Sequence, residues 1–92
     1  MKFGLAIEAL KLGKKVAREG WNGKGMFLYL TQGSKVTYSK LKKETQKALI
    51  NYPDTVVSIN AHIDMFAADG SIVIGWLASQ TDILSDDWYI VN

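Results

Sequence analysis

Apolar residues recur along this chain at two different spacings. Over residues 2–12, Phe3, Ala6, Ile7 and Leu10 fall at helical intervals, and Leu5, Ala9 and Leu12 broaden the stripe. That spacing predicts an amphipathic helix. Gly13 stands where such a helix stops, and Lys11, Lys14 and Lys15 suit the negative end of its dipole. Val16-Ala17-Arg18 reads as a short strand, and Met26–Thr31, apolar on both faces, as a strand near the centre of a sheet. Two further apolar runs, Ile63–Ala67 and Ile72–Trp76, are separated by Ala68-Asp69-Gly70. Asp-Gly between apolar runs signals a hairpin, because glycine takes the positive φ such a turn requires. Asp86-Asp87 then introduces Trp88–Val91, a closing strand.

The middle of the chain is patterned more weakly. Gln32-Gly33-Ser34 breaks the central strand, and Lys35–Ser39 reads as a short edge strand. Ser39 is placed to cap a helix running from Lys40 to about Asn51 and ended by Tyr52-Pro53. Its apolar face is thin (Leu41, Ala48, Leu49, Ile50) and crowded by Lys40, Lys42, Lys43 and Lys47. Val56–Asn60 reads as a strand leading into the hairpin. Together these elements predict an α+β domain over residues 1–92: an antiparallel sheet of about five strands, an N-terminal helix and a second, lysine-rich helix.

Composition narrows the chemistry. With no cysteine there is no disulfide framework, thiolate nucleophile or cysteine zinc site, which agrees with a reducing compartment. No stretch approaches the roughly 20 apolar residues of a membrane span, and residues 1–15 lack the unbroken apolar core of a signal peptide. The net charge of +2 hides an asymmetry: all 11 Lys and Arg lie in residues 1–47, and the second half holds six aspartates and no base. A basic face that attracts an anion, opposite faces that favour self-association, and a surface that simply mixes both signs all fit this pattern. A chain this small gains from a neighbouring subunit that covers apolar surface, so a homo-oligomer is expected.

Two stretches carry candidate binding chemistry. Gly20-Trp21-Asn22-Gly23-Lys24-Gly25 is a glycine-rich loop whose backbone N–H groups approach an anion closely, with Arg18 or Lys24 supplying charge. The same loop is equally read as a tight turn that folds Trp21 onto the core. After Trp76 the sequence turns polar through Ser79, Gln80, Thr81 and Asp82, so that Trp76 and Trp88 bracket a segment rich in hydroxyls and amides. Such a composition suits a pocket that stacks a planar ring and hydrogen-bonds its substituents. Core or subunit-interface roles for Trp76 and Trp88, and a helix-capping role for Asp82, are the alternatives. Catalysis is less well supported. His62 is the only histidine, Ser79 and Thr81 have no evident activating base, and nothing in the sequence pairs Asp64 with Asp82. Nucleic-acid binding through the basic half is disfavoured by the acidic second half.

The blocks FGLAIEALKLGKKVAREGWNGKGMFLYL and HIDMFAADGSIVIGWLASQTDILSDDWYIV, at residues 3–30 and 62–91, closely resemble the Thoeris anti-defence family of the second type. They cover about 58 of the 92 positions, and WLASQTDILSDDW is the most specific run. The lysine-rich segment 35–54 lies outside the resemblance. The resemblance implies a phage or prophage protein, working in the cytoplasm of the infected or lysogenic bacterium, that performs no chemistry and needs no cofactor. It implies sequestration of glyco-cyclic ADP-ribose, the signal that the Thoeris TIR-domain sensor makes for its effector. For some relatives it implies cyclic dinucleotides at a separate site, and for the family a homotetramer with pockets between subunits. Placed on this sequence, a base stacks on Trp21 or Trp76, ribose hydroxyls meet Asn22, Ser79, Gln80, Thr81 and Asp82, and a pyrophosphate meets residues 23–25 with Arg18 or Lys24. The competing readings are a phosphodiesterase or glycohydrolase that degrades the signal, a small nucleic-acid-binding module, and an interaction module without a small ligand.

Overall fold

The computed structural model describes residues Met1–Asn92, which fall into two compact units. One unit comprises Met1–Thr31 and His62–Asn92; the other, Gln32–Ala61, is inserted between its two halves in sequence.

The first unit is built on α1 (Phe3–Lys11) and five strands: β1 (Lys15–Arg18), β2 (Phe27–Thr31), β5 (His62–Phe66), β6 (Ile72–Ile74) and β7 (Trp88–Val91). Their order is β6-β5-β2-β1-β7, antiparallel throughout. Both expectations for this region hold: β2 sits in the middle, and Ala68-Asp69-Gly70 turns β5 into β6, with Gly70 at φ +86°. Asp69 Oδ1 locks that turn by accepting from the Ser71 backbone N–H and hydroxyl, which holds its carboxyl below the ordinary range.

The core lies between α1 and one face of the sheet. Ala6, Ala9 and Leu10, three and four positions apart, form the buried stripe of α1 and meet Val16, Leu28, Met65 and Trp88. Small residues at 6 and 9 let the helix sit close to the sheet. The chain start is tied to the last strand: the Met1 ammonium donates to Trp88 O at 2.6 Å, and Trp88 N–H donates to Met1 O at 3.1 Å. On the opposite sheet face, register places Phe27 beside Phe66 and Phe66 beside Ile72, and the two phenylalanine rings stack at 5.1 Å. The edge strand β6 is exposed along its whole length.

The second unit pairs β3 (Ser34–Thr37) with β4 (Val56–Ile59) and carries a 3-10 turn (Tyr38–Lys40) and α2 (Lys43–Ala48). The helix expected from Lys40 to Asn51 is therefore shorter, and Ser39 lies within the 3-10 turn instead of capping it. Leu41 and Lys42 are extended (ψ 157° and 151°), which separates turn from helix. The thin apolar face explains the early end, because a helix this short depends on packing and α2 buries nothing. The Tyr38 hydroxyl donates to Gln46 O, and Gln46 Nε2 donates to Tyr38 O, so the two segments are clasped side by side. β4 pairs with β3 and not with the β5–β6 hairpin.

Candidate functional site

Three ring systems and one carboxylate organise the end of the sheet where β1 and β7 meet the loops. Trp21, Trp76 and Trp88 pack edge to face, with centroids 5.4 Å apart for Trp21–Trp88, 6.3 Å for Trp21–Trp76 and 6.2 Å for Trp76–Trp88. Trp88 is a core residue, while Trp21 and Trp76 keep part of their surface in solvent.

Asp82 is the hub. The sequence Ser79-x-x-Asp82 forms a capping box at the start of α3 (Gln80–Leu84): Asp82 N–H donates to Ser79 Oγ at 3.0 Å, and Ser79 N–H donates to Asp82 Oδ2 at 3.2 Å. Its Oδ1 also accepts from Arg18 Nη1 at 2.7 Å and from the Trp21 indole N–H at 3.1 Å, while Asp82 O accepts from the Trp88 indole N–H at 2.9 Å. Arg18 also donates to Asp87, through Nε at 2.8 Å and Nη2 at 3.4 Å. Asp87 also accepts from Gly20 N–H at 2.8 Å, and a side chain at position 20 would collide with Asp87 and Arg18.

The protonation states follow. Burial alone would raise Asp82, but hydrogen bonds from Arg18, Trp21 and Ser79 outweigh it and hold the carboxyl below the usual range. The hydrogen bonds from Arg18 lower Asp87, and Asp87 and then Asp82 raise the guanidinium further. Carboxylates depressed in the folded state add stability that is complete above the unfolded value of about 3.9 and lost as pH falls through the folded values. The melting temperature is therefore expected to stay flat from neutral pH to about 5 and to drop steeply below about 4. Differential scanning calorimetry across that range checks it, and Asp82→Asn should flatten the drop.

Between β1, β7 and the glycine loop lies a half-open cavity of about 240 Å³, lined by Arg18, Trp21, Lys24, Met26, Gly23 and Gly25 together with Glu19 and Tyr89. Gly23 is required there: a Cβ would run into Met26 Sδ and meet the Ala68 Cβ at 2.8 Å. Gly25 turns the loop at φ +77°. Lys24 is exposed with no carboxylate in ion-pair range, whereas Arg18 borders the cavity with its guanidinium already engaged.

The structure thus joins Arg18, Trp21, Trp76, Ser79 and Asp82 in one network. Asn22, Gln80 and Thr81 are exposed beside it, and neither Asn22, Trp76 nor residues 79–82 line the cavity. Sequence reasoning missed Glu19, Met26 and Tyr89 as lining residues and Asp87 as the second partner of Arg18. The Ser-x-x-Asp spacing was the readable signal for the capping box.

Elsewhere in the same unit, Asp64 is buried. It accepts from Thr31 Oγ1 at 2.6 Å and Gly75 N–H at 3.0 Å, with His62 Nε2 at 3.4 Å. Asp64 and Asp82, the carboxylates with most catalytic potential on paper, are thus both engaged in holding backbone and loops. No group of three or more His, Cys, Asp or Glu is placed to hold a metal, and no helix is long and apolar enough to cross a membrane.

Comparison with known families decides the class. The model of the Thoeris anti-defense 2-like domain matches residues 1–91. The chain belongs to this family. It is also 40% identical over 92 residues to "Thoeris anti-defense 2" of Bacillus phage SP01, an alignment that spans 100% of this chain and 96% of that protein. Membership makes this a Thoeris anti-defence protein, of a family that works without catalysis. The tryptophan–carboxylate network and the glycine-loop cavity are the features of its fold available for such a role.

Proposed function

We propose that this Thoeris anti-defence protein captures glyco-cyclic ADP-ribose without breaking a bond in it, so that the effector never meets its signal. The observation that carries this reading is the cavity beside Trp21, which puts an aromatic ring, glycine backbone and an unpaired lysine at one opening. The exposed part of Trp21 offers a stacking surface for a base, as does Trp76. Backbone N–H groups of residues 23–25 and the Lys24 ammonium receive the pyrophosphate, and Arg18 forms the cavity wall. Asn22, Ser79, Gln80 and Thr81, which are exposed and lie outside the cavity lining, supply hydrogen bonds to the riboses of the part of the ligand that protrudes from it, with Asp82 fixing the 79–82 segment.

A cavity of about 240 Å³ is smaller than the 300–1,000 Å³ typical of pockets that enclose a whole small molecule. The remainder is supplied by neighbouring subunits of a homotetramer. Ile72 (56% exposed), Ile74 (65%), Leu77 (89%) and Leu84 (77%) provide apolar surface for such contacts. A cyclic dinucleotide, with the same bases, riboses and phosphates, is a second ligand of the same chemical kind.

Lys24→Glu tests the assignment of charge. It is expected to weaken glyco-cyclic ADP-ribose binding by about tenfold or more in titration calorimetry, and to leave the melting temperature unchanged because the lysine is exposed and unpaired. Unchanged affinity would remove the pyrophosphate from this loop.

A further inference from the structure

The inserted unit, Gln32–Ala61, has a surface that the capture of a nucleotide does not use. Between β3, β4, the 38–42 segment and the start of α2 runs a groove of about 360 Å³ lined by Val36, Leu41, Val57 and Ile59 together with Lys40, Lys42 and Thr45. No residue of the unit is fully buried, so the groove is an open apolar surface and not a void inside a core.

Its charge is uncompensated. Lys35, Lys40, Lys42, Lys43 and Lys47 have no carboxylate within ion-pair distance. The acidic second half of the chain does not answer them either. Asp82 and Asp87 are held by Arg18, Asp64 by Thr31 and Gly75, and Asp69 by Ser71, which leaves only Asp54 and Asp86 of the six aspartates. The carboxylates left over, Glu19, Glu44, Asp54 and Asp86, are scattered over four separate parts of the chain, and Glu8 is paired with Lys11, so a second copy offers no acidic amphipathic segment and the complementary surface belongs to another molecule. The floor is aliphatic, with no aromatic ring on which a base could stack, which favours side chains of a peptide over nucleobases.

We propose that this groove docks an acidic amphipathic segment of a partner protein, whose apolar side chains enter between Val36, Leu41, Val57 and Ile59 while its carboxylates meet Lys40 and Lys42. The proposal does not rest on the Trp21 reading.

The test uses the full chain and a fluorescently labelled peptide with leucines at helical spacing and glutamates elsewhere. Controls are the same composition scrambled to remove the apolar face, a lysine–leucine counterpart and a labelled oligothymidylate. Anisotropy is expected to show binding of the glutamate–leucine peptide alone. Its affinity is expected to fall about tenfold at high salt and about tenfold again in Lys40→Glu/Lys42→Glu, an exposed pair whose replacement leaves circular dichroism unchanged. Amide shifts in the wild-type protein should centre on Val36, Leu41 and Val57. Absence of peptide binding, equal binding of the scrambled peptide, indifference to the lysine replacements or preference for the oligothymidylate would each overturn the proposal.

Discussion

Replacing Asp82 by alanine is expected to destabilise the protein by about 3 kcal/mol, in the range found when one partner of a buried ion pair is removed. The side chains of Arg18 and Asp82 are only 11% and 12% exposed, so the guanidinium loses its shorter contact where little water can replace it. Three donors lose their acceptor at once: Arg18 Nη1, the Trp21 indole N–H and the N–H of Ser79. The α3 cap is weakened by the same change. For a domain of this size, each 1 kcal/mol lowers the melting temperature by roughly 4–8 °C, so the expected drop is about 12 °C or more. Asp82→Asn, which keeps an acceptor for the cap and loses the charge, should fall between the two. A melting temperature within a degree or two of wild type for the alanine variant would show that the hub contributes nothing to stability.

The second large effect is on capture. Trp21→Ala removes the ring at the mouth of the cavity, and base–aromatic stacking contributes on the order of 1–3 kcal/mol, so affinity for glyco-cyclic ADP-ribose should fall roughly 5- to 150-fold. The same ring packs on Trp76 and Trp88 and donates to Asp82, so some loss of stability accompanies the change. Trp21→Phe separates the two roles. It keeps a smaller aromatic face and loses the indole N–H that Asp82 accepts, so it should retain more of the affinity than the alanine variant while melting earlier than wild type. Were the phenylalanine variant to lose capture as completely as the alanine variant, the ring would be acting through the Asp82 network and not by stacking.

The legible parts of the fold are those where one local rule met no competitor. The Phe3–Lys11 helix, the Asp-Gly hairpin and the central position of Met26–Thr31 each rest on a pattern that tertiary packing then reinforced. Helix spacing even marked Ala6, Ala9 and Leu10 as the face that is buried, although Leu5 and Leu12, counted into the stripe, are 60% and 77% exposed. The lysine-rich helix forms, but only over Lys43–Ala48, because its charge pattern left no stripe able to hold three turns against anything. Extended backbone at Leu41 and Lys42 cut it in two. At the site, sequence composition singled out Trp21, Trp76 and the 79–82 segment. It could not show that Arg18 is shared between Asp82 and Asp87, because those partners lie 64 and 69 positions away and only sheet register brings them together. Pairing of Arg18 with Trp88 across β1 and β7 is what puts Asp87 within reach.

The central claim is capture without chemistry, and the most direct test follows the ligand itself. Purified protein in excess is mixed with glyco-cyclic ADP-ribose, passed through a filter that retains protein, and heated; both fractions are then analysed by mass spectrometry. Retention of the compound by the native protein, followed by its release on heating at unchanged mass and retention time, is the predicted result. Free passage through the filter, or recovery as a linear or hydrolysed product, would contradict it.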